Sequence, residues 1–254
     1  MPHSKTGAAG GGSNNYCRVY ESSEVRGITG DPIRPGGFLL TERALDFCGF
    51  APGARILDVG CGSGATVEHM IRRYNYNAVG VDPSTLLLSR GRHRMPCLPL
   101  VEATGEQLPF ADCVMDGVLA ECTLSVMAEQ DRALAEMHRV LKAGGMLVIH
   151  DVYARNAAGV DNLRRLPLAV CFAGATSQHD LVAKITSAGF HLLLWEDHSR
   201  LLTELAAKLI FANGSLSLFW EKIARGAMCG QVIQDTIRKS RPGYFLLIAR
   251  KLLT

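Results

Sequence analysis

The strongest constraint on the fold is a short apolar strand that leads through a glycine-rich turn into a helix. The strand and turn are RILDVGCGSG at residues 55–64, and the helix is predicted over Ala65–Tyr74. This order of elements is typical of a parallel α/β sheet, in which ligands bind at the carboxyl ends of the strands. Glycines allow a ligand to approach the backbone closely, because no Cβ intervenes. The segment therefore predicts a ligand site at this turn.

Strand-like and helix-like segments alternate along most of the remaining chain. Further apolar strands are predicted at Ala78–Val81, Cys97–Val101, Cys113–Leu119, Met146–Val152, Phe190–Trp195 and Tyr244–Ala249. Further helices are predicted over Phe38–Phe47, Leu86–Leu88 with Ser84 as N-cap, Glu129–Leu141 and Asp180–Ala188. Strands that alternate with helices imply a parallel sheet built by right-handed crossovers.

Two stretches depart from this alternation. Residues 1–15 are polar and glycine-rich, so we predict a disordered tail there. Residues 197–242 separate the last two strands and carry apolar side chains at helical spacing. They form a packed helical insertion before the last strand, and they are also candidates for a cap over a substrate site. Both interpretations of the insertion stay open.

Composition limits the classes of partner. The formal net charge of +3 is too small to indicate nucleic-acid binding. No uninterrupted apolar run approaches the ~20 residues that span a bilayer, and the first residues lack the apolar core of a signal peptide. The eight cysteines are scattered without a CxxC pair, which is not the pattern of a zinc site. We therefore expect a cytoplasmic protein with mostly reduced thiols, with no nucleic-acid, membrane or metal partner.

The glycine turn alone is compatible with two cofactors. Gly60, Gly62 and Ala65 also satisfy the loose dinucleotide pattern GxGxxA. However, Asp58 lies two residues before Gly60, where a carboxylate suits a cationic amino group and not a pyrophosphate. Asp82 ends the second strand and can accept both hydroxyls of a ribose, which either cofactor offers. An NAD-dependent oxidoreductase is therefore the less favoured alternative.

Four motifs taken together are more specific than the turn. They are LDVGCGSG at 57–64, VGVDPS at 79–84, GEQLPFADCVMD at 105–116 and HRVLKAGGMLVIHDVY at 138–153. With them the chain resembles class I S-adenosylmethionine-dependent methyltransferases of the kind that methylate quinones or arsenite. The resemblance implies an α/β, Rossmann-like three-layer sandwich with a seven-stranded, mostly parallel sheet and an antiparallel last strand. It also implies that residues 37–254 form the methyltransferase domain and that residues 16–36 form an N-terminal cap segment over the cofactor.

The same resemblance implies residues for binding S-adenosyl-L-methionine. The methionine moiety is expected at Asp58, Gly60, Cys61, Gly62 and Gly64, the ribose at Asp82 and Pro83, and adenine beside Thr104, Gly105 and Glu106. Many family members have an aspartate where this chain has Thr104. From the cap segment, Tyr16 and Tyr20 are expected to touch the cofactor.

Residues that follow the fourth and fifth strands are the candidates for catalysis. We expect Glu121 and Cys122 after one strand, and Asp151 and Tyr153 after the other, to face the cofactor pocket. Glu121 is a candidate general base or an electrostatic partner of the sulfonium, which also makes it a cofactor-binding candidate. By strand alternation His150 is expected to point away from Asp151, as a buried structural histidine.

One segment resembles arsenite methyltransferases specifically. These enzymes have an arsenic-binding cysteine after the fifth strand, and Cys171 in AVCFAG at 169–174 matches it. They have another cysteine early in the first helix of the domain, where this chain has Val67 or its neighbours. Trivalent arsenic needs about three soft ligands, so Cys171 is either a catalytic ligand or a small buried hydrophobe.

The sequence therefore predicts methyl transfer from S-adenosylmethionine to a small-molecule acceptor. Two alternatives remain at this point. One is methylation of arsenite or of another soft acceptor such as a thiol or selenol. The other is a non-catalytic protein that binds S-adenosylmethionine.

Overall fold

The computed structural model describes residues 20–21, 26–28, 30–168 and 170–252, and all structural statements concern these residues. Seven strands form one sheet in the order β3-β2-β1-β4-β5-β7-β6. They are β1 Arg55–Val59, β2 Asn77–Asp82, β3 Leu100–Glu102, β4 Met115–Glu121, β5 Leu141–Ala154, β6 Phe190–Asp197 and β7 Pro242–Lys251. The helices are α1 Leu39–Cys48, α2 Ala65–Tyr74, α3 Thr85–Arg94, α4 Gln130–Val140, α5 Val160–Arg164, α6 Gln178–Ser187, α7 Ser199–Asn213, α8 Leu216–Ala224 and α9 Gly230–Lys239.

The strand directions confirm the predicted sheet. The strands β1 to β5 pair in parallel, whereas β7 runs antiparallel to both of its neighbours, β5 and β6. The parallel strands therefore bring their carboxyl ends to one edge of the sheet. The glycine turn after β1 and the chain segments after β2, β3 and β4 meet at that edge.

Strand alternation divides the core into two layers. The side chains of Ile56 on β1 and Leu119 on β4 pack on the face that carries α1, α2 and the helices of the insertion. Their neighbours Leu57 and Val118 pack on the opposite face, against α4 and α6. This parity decides which polar side chains at the strand ends can meet, because residues two apart share a face.

Most boundaries shift by one to three residues from the sequence prediction. The third strand begins at Leu100, where Cys97 was predicted, and β4 begins at Met115 and extends to Glu121. The strand β5 begins at Leu141, because Met115 pairs with Leu141 across an irregularity in the β4–β5 register. Ser84 caps α3 as predicted, since its hydroxyl accepts a hydrogen bond from the amide of Leu87 at 3.2 Å.

The insertion between β6 and β7 consists of the three helices α7, α8 and α9. Its buried side chains, Leu209, Phe219 and Trp220 among them, join the core layer that contains α1 and α2. No single helix among the described residues is long and apolar enough to cross a bilayer; α7 and α8 satisfy length and composition only together, as a pair bent by 78°. The predicted tail at 1–15 and Tyr16 lie outside the described residues.

Candidate active site

The glycine turn is held against β2 and against the segment after β4. The amides of Gly60 and Cys61 both donate to the carbonyl of Val81, at 2.8 and 2.9 Å. Gly60 has a φ of 76°, and a Cβ there would lie 2.0 Å from the hydroxyl oxygen of Thr123. Only glycine satisfies both conditions, so this residue sets how closely the turn approaches Thr123.

The other two glycines of the turn serve different purposes. Gly62 has a φ of 55°, but a Cβ there would meet nothing nearer than 4.0 Å, so its backbone faces open space. Gly64 is the N-cap of α2, and a Cβ there would lie 2.7 Å from the side chains of Leu98 and Leu100. Ser63 and Ala65 line the open space, whereas Gly64 does not, and its contact with the ligand stays a prediction.

Asp82 lies at the end of β2 and fixes the turn from the other side. One carboxylate oxygen accepts from the amide of Gly62 and the other from the amide of Ser84, both at 2.8 Å. Burial raises the pKa of Asp82, and the two amide hydrogen bonds oppose that rise. Each oxygen retains a second lone pair toward the open space, which Asp82 and Pro83 both line.

These residues border one large cleft, which we call the main cleft. It contains about 1210 Å³ of empty space including its open mouth. Its described lining includes Gly60, Cys61, Gly62, Asp82, Pro83, Thr104, Gly105, Glu106 and Glu121, all predicted from the sequence, and Tyr20. Glu106 also orders the far wall, where its carboxylate accepts from the amide of Ala128 at 3.1 Å.

Asp58 lies beneath the main cleft and not on its surface. It is 2% exposed, and it points toward the face of the sheet that carries α1 and α2, as Ile56 does. Burial and the nearby carboxylate of Glu121 raise the pKa of Asp58, while Arg34 opposes that rise. Asp58 therefore does not line the main cleft.

Glu121 ends β4 and is bonded on all sides. One of its oxygens accepts from Thr41 at 2.7 Å and meets the Nε2 of His150 at 2.6 Å. The other accepts from Thr66 at 2.8 Å and meets a guanidinium nitrogen of Arg34 at 2.7 Å. Arg34 and His150 hold the pKa of the Glu121 carboxyl well below its usual range, despite burial.

A directed chain of hydrogen bonds continues from Glu121. Because an ionised carboxylate only accepts, the Nε2 of His150 donates to it, which leaves Nδ1 of the neutral ring to accept from Tyr244 at 2.9 Å. Burial lowers the pKa of His150, which favours this neutral ring. The Tyr244 oxygen is then free to accept from the thiol of Cys122, 3.1 Å away. The chain ends at Cys122, which lines the main cleft.

Comparisons with known proteins agree with this arrangement. The family model described as a methyltransferase domain matches residues 57–149. The demethylmenaquinone methyltransferase of Corynebacterium urealyticum is 30% identical over 192 residues, which cover 73% of this chain and 76% of that protein. The chain belongs to the class I S-adenosylmethionine-dependent methyltransferases.

Two further comparisons define the extent of this likeness. The demethylmenaquinone methyltransferase of Renibacterium salmoninarum is 37% identical over 123 residues, but the match covers only 48% of this chain and 52% of that protein. Among solved structures, the [4+2]-cyclase SpnF superposes with a TM-score of 0.72 at 24% identity, over 93% of this chain and 95% of that one. At that identity the likeness is one of fold alone.

The main cleft of this methyltransferase fits S-adenosylmethionine, the cofactor of the family. The open space at Gly62 accommodates a ligand against the backbone, and the Asp82 carboxylate is an acceptor at the rim for ribose hydroxyls. Buried negative charge at Glu121 suits a cationic ligand. The cleft thus combines a close backbone approach with acceptors for hydroxyl and cationic groups.

Two predicted catalytic residues on β5 do not reach the main cleft. Glu121 of β4 pairs with His150 of β5, so His150 is on the same face of the sheet as Glu121. Asp151 and Tyr153 point to the opposite layer. The Asp151 carboxylate accepts from the amide and the hydroxyl of Ser125, at 2.9 and 2.7 Å. The Tyr153 hydroxyl donates to Asp197. The alternation argument correctly placed His150 and Asp151 on opposite faces, but neither residue lines the main cleft: His150 is buried behind Glu121 and Asp151 lies on the other face.

Cys171 lies beside a second cavity and not in the main cleft. It belongs to a short 3₁₀ turn after α5, and its backbone amide donates to the hydroxyl of Tyr20 at 3.1 Å. Burial and the nearby Asp151 raise the pKa of its thiol to about 12. Among the described residues, no three His, Cys, Asp or Glu side chains converge to hold a metal ion. Cys171 shares its cavity with a single other thiol of the described chain, Cys122.

Sequence analysis missed the partners that hold Glu121. Arg34 was included only as part of the cap segment, and Thr41 and Thr66 were not considered. Tyr244, which bonds to His150 and not to Glu121, was not considered either. These residues come from α1, α2, β7 and the segment before α1, so no local pattern links them. A lone arginine in the apolar context of Pro32, Ile33 and Pro35 was the only available signal.

Proposed function

We propose that this protein transfers the methyl group of S-adenosylmethionine to a small-molecule acceptor. One observation carries the proposal: the main cleft has a wall in common with a second, apolar cavity. Tyr20, Ile33, Arg34 and Cys122 line both spaces. A donor in the main cleft and an acceptor in the second cavity would therefore both contact these four residues, which places the two ligands next to each other.

Under this proposal the main cleft binds both the methionine end and the adenosine end of the cofactor. Gly60, Cys61 and Gly62 bind the methionine moiety through the turn, with Asp58 beneath them. Asp82 and Pro83 bind the ribose, and Thr104, Gly105 and Glu106 border adenine. The main cleft lining supports this order, because it runs without interruption from the turn, past the end of β2, to the segment after β3.

The protein's own contribution to the chemistry would be positioning. S-adenosylmethionine, when bound, supplies an electrophilic methyl group on a sulfonium. The protein must align the acceptor behind that methyl group and exclude water, which can lower a barrier by roughly 7–11 kcal/mol. The Arg34–Glu121 pair holds Arg34 against the end of β4, and Tyr20, Ile33 and Arg34 line the main cleft from the described part of the cap segment.

The geometry disfavours Glu121 as a general base. Its four hydrogen-bonding contacts occupy the roughly four acceptor positions of a carboxylate. Its depressed pKa also makes it a weak proton acceptor. We propose instead that Glu121 holds Arg34 and His150 in place and contributes negative charge beside the cofactor.

Two measurements test the proposal. Isothermal titration calorimetry should show micromolar S-adenosylmethionine affinity, with loss in Gly60→Arg and Asp82→Ala, and methyl release from labelled cofactor should appear across a panel of phenols, thiols and amines. Tight NADH binding without S-adenosylmethionine binding would contradict it. Cofactor binding with no methyl release to any acceptor in the panel would favour the non-catalytic alternative.

Arsenite methylation remains a second candidate because Cys122 and Cys171 line the same cavity. The raised pKa of both thiols counts against it, since a metalloid ligand must be a thiolate. Arsenite binding that disappears in Cys171→Ser would support this candidate. Arsenite affinity unchanged by that substitution would remove it.

A further inference from the structure

The second cavity lies on the far side of the shared wall from the main cleft. We call it the apolar cavity; it contains about 670 Å³ of empty space including its open mouth. Besides the shared wall, its lining comes from β5, from the 3₁₀ turn at Cys171–Gly174 and from α7 and α8 of the insertion. The insertion therefore covers this cavity with two of its three helices.

The wall contributed by these elements is almost entirely hydrocarbon. It includes Val152, Phe172, Leu202, Leu205, Phe219 and Trp220. The rings of Phe172 and Trp220 meet edge to face at 6.0 Å, as do those of Phe219 and Trp220 at 4.9 Å. Such a surface gains free energy when an apolar ligand displaces water from it, at about 25 cal/mol per Å².

The only charged side chain among the described residues of this lining is Arg34, and its charge is already compensated. Its guanidinium meets Glu121 at 2.7 Å and donates to Thr41, Thr66 and the carbonyl of Gly37. The charge of Asp151 contributes to the raised pKa of Tyr20, Cys122 and Cys171. Asp151 itself does not line the apolar cavity, and its carboxylate accepts hydrogen bonds from Ser125 and Val152. A charged acceptor would lose its hydration here and would contact no charged lining residue among those described except Arg34, which is already paired with Glu121.

Uncharged polar groups are concentrated at one end of the apolar cavity. They are the Tyr20 hydroxyl and the thiols of Cys122 and Cys171. Burial raises the pKa of all three groups, so all three are neutral at physiological pH. Tyr20 and Cys122 also line the main cleft, so this polar end faces the cofactor side.

We infer that the apolar cavity binds the methyl acceptor, and that this acceptor is an uncharged, predominantly hydrocarbon molecule whose reacting polar group meets Tyr20, Cys122 and Cys171. The inference rests on the proposed function, and it adds the acceptor class and its site. Amines that are cationic at neutral pH, carboxylates and phosphate esters are excluded as acceptors by the same argument. The insertion covers the acceptor site with apolar side chains of α7 and α8.

Competition binding on the full-length protein tests this inference. The cavity is probed with the uncharged fluorophore N-phenylnaphthylamine, in the presence of saturating S-adenosylhomocysteine so that the main cleft is filled. Naphthol, naphthoate and naphthylmethylamine then compete, because they share a ring system and differ in charge at neutral pH. Naphthol should displace the probe at least about tenfold more effectively than either ion. Equal or stronger displacement by an ion would overturn the inference, as would displacement by arsenite.

A matched pair of substitutions on α7 locates the site. Leu205 lines the apolar cavity, whereas Phe211 on the same helix is 96% exposed. Leu205→Trp should weaken probe binding at least about tenfold by filling the cavity, and Phe211→Trp should change it less than about twofold. Leu202→Phe provides a second cavity-filling variant should Leu205→Trp lose its circular dichroism spectrum. Unchanged probe binding in folded cavity-filling variants would place the probe elsewhere and refute the assignment.

Failure of this inference is distinguishable from failure of the proposed function. Calorimetry with S-adenosylhomocysteine reports on the main cleft alone, and both α7 variants should retain wild-type affinity. Absence of that binding in the wild type would refute the proposed function. Normal cofactor binding combined with a preference for charged competitors would refute the acceptor class and leave the proposed function intact.

Discussion

The main cleft and the apolar cavity adjoin at four residues, but they are built in different ways. The main cleft presents backbone at its glycine turn, and the carboxylates of Asp82 and Glu121 stand at the ends of β2 and β4. The apolar cavity is lined by side chains from the cap segment, β5, a 3₁₀ turn and two helices of the insertion. A site made by backbone needs glycine at fixed positions, while a site made by packed side chains accepts many apolar residues.

This difference separates the site whose residues are restricted by the chemistry of its ligand from the site whose residues can vary. A cofactor with fixed charges and hydroxyls requires fixed partners, which the turn and Asp82 provide. A hydrophobic acceptor requires mainly area and shape, which the insertion provides. The Arg34–Glu121 pair stands at the junction, because it fastens the cap segment that lines both spaces.

Removal of the charge at Glu121 should have the largest effect and should damage both spaces. Glu121→Gln leaves the guanidinium of Arg34 buried without a counter-charge, which typically costs about 3–5 kcal/mol of unfolding free energy. The exposed Glu129→Gln is the control, and we expect it to change stability by less than about 0.5 kcal/mol. Urea denaturation measures both. A loss in Glu121→Gln no larger than in the control would show that the pair does not hold the wall.

The same variant predicts a change in the pH dependence of stability. The folded-state pKa of Glu121 lies below its ordinary value of 4.5, so the unfolded chain binds the proton more readily and stability falls as the pH drops below 4.5. His150 has a lowered pKa too, so its contribution begins to fall below its ordinary value of 6.5. Glu121→Gln should flatten the acid limb of the stability curve below pH 4.5. An acid limb as steep as in the wild type would contradict the assignment.

Gly60→Ala should disrupt the main cleft alone. The added Cβ would lie 2.0 Å from the Thr123 hydroxyl in a left-handed backbone, so the turn must move and S-adenosylmethionine affinity should fall at least about 100-fold, equivalent to about 2.7 kcal/mol. Gly53→Ala is the matched control, because Gly53 has a φ of 82° but open space around its Cβ position. Calorimetry should show near wild-type affinity for the control. Equal losses in both variants would mean that backbone strain, and not the contact with Thr123, is responsible.

Asp82→Asn should produce a smaller loss in the same cleft. The asparagine retains the size of the side chain, but its amide nitrogen cannot accept from a backbone amide or from a ribose hydroxyl. We expect S-adenosylmethionine affinity to fall about tenfold, since charged hydrogen bonds contribute about 1.5–3 kcal/mol. Glu102, which pairs with Asp82 across β2 and β3 and is exposed, supplies the control Glu102→Gln. A decrease of similar size in that control would argue against a specific role for Asp82.

The smallest effect is expected from Cys171→Ser in the apolar cavity. A neutral thiol replaced by a hydroxyl of similar size should change methyl transfer to an uncharged acceptor by less than about threefold, or less than about 0.7 kcal/mol. Steady-state kinetics of methyl release measures it, with Cys229→Ser as control because Cys229 is exposed and outside both spaces. Abolished transfer in Cys171→Ser alone would show that the thiol takes part in the chemistry.

Local sequence patterns were sufficient to predict the strands of the sheet and most residues that line the main cleft. The strand Arg55–Val59 and the helix Ala65–Tyr74 have the predicted bounds, because a run of buried apolar residues and a glycine turn are local signals. The packing of Leu98 and Leu100 against Gly64 could not be predicted, because these residues are distant in the sequence. Asp151 was misassigned because alternation gives relative faces, and only the β4–β5 register fixes which face is the site.

By itself the sequence determined the order of strands and helices, the glycine turn and the two acidic strand ends, since each depends on residues close together in the chain. Only the tertiary structure determined that Arg34, Thr41, Thr66 and His150 converge on Glu121. Only the tertiary structure also showed that the insertion covers an apolar cavity beside the main cleft. The physical reason is distance along the chain: these contacts join segments tens to hundreds of residues apart, and side-chain packing, not local periodicity, selects them.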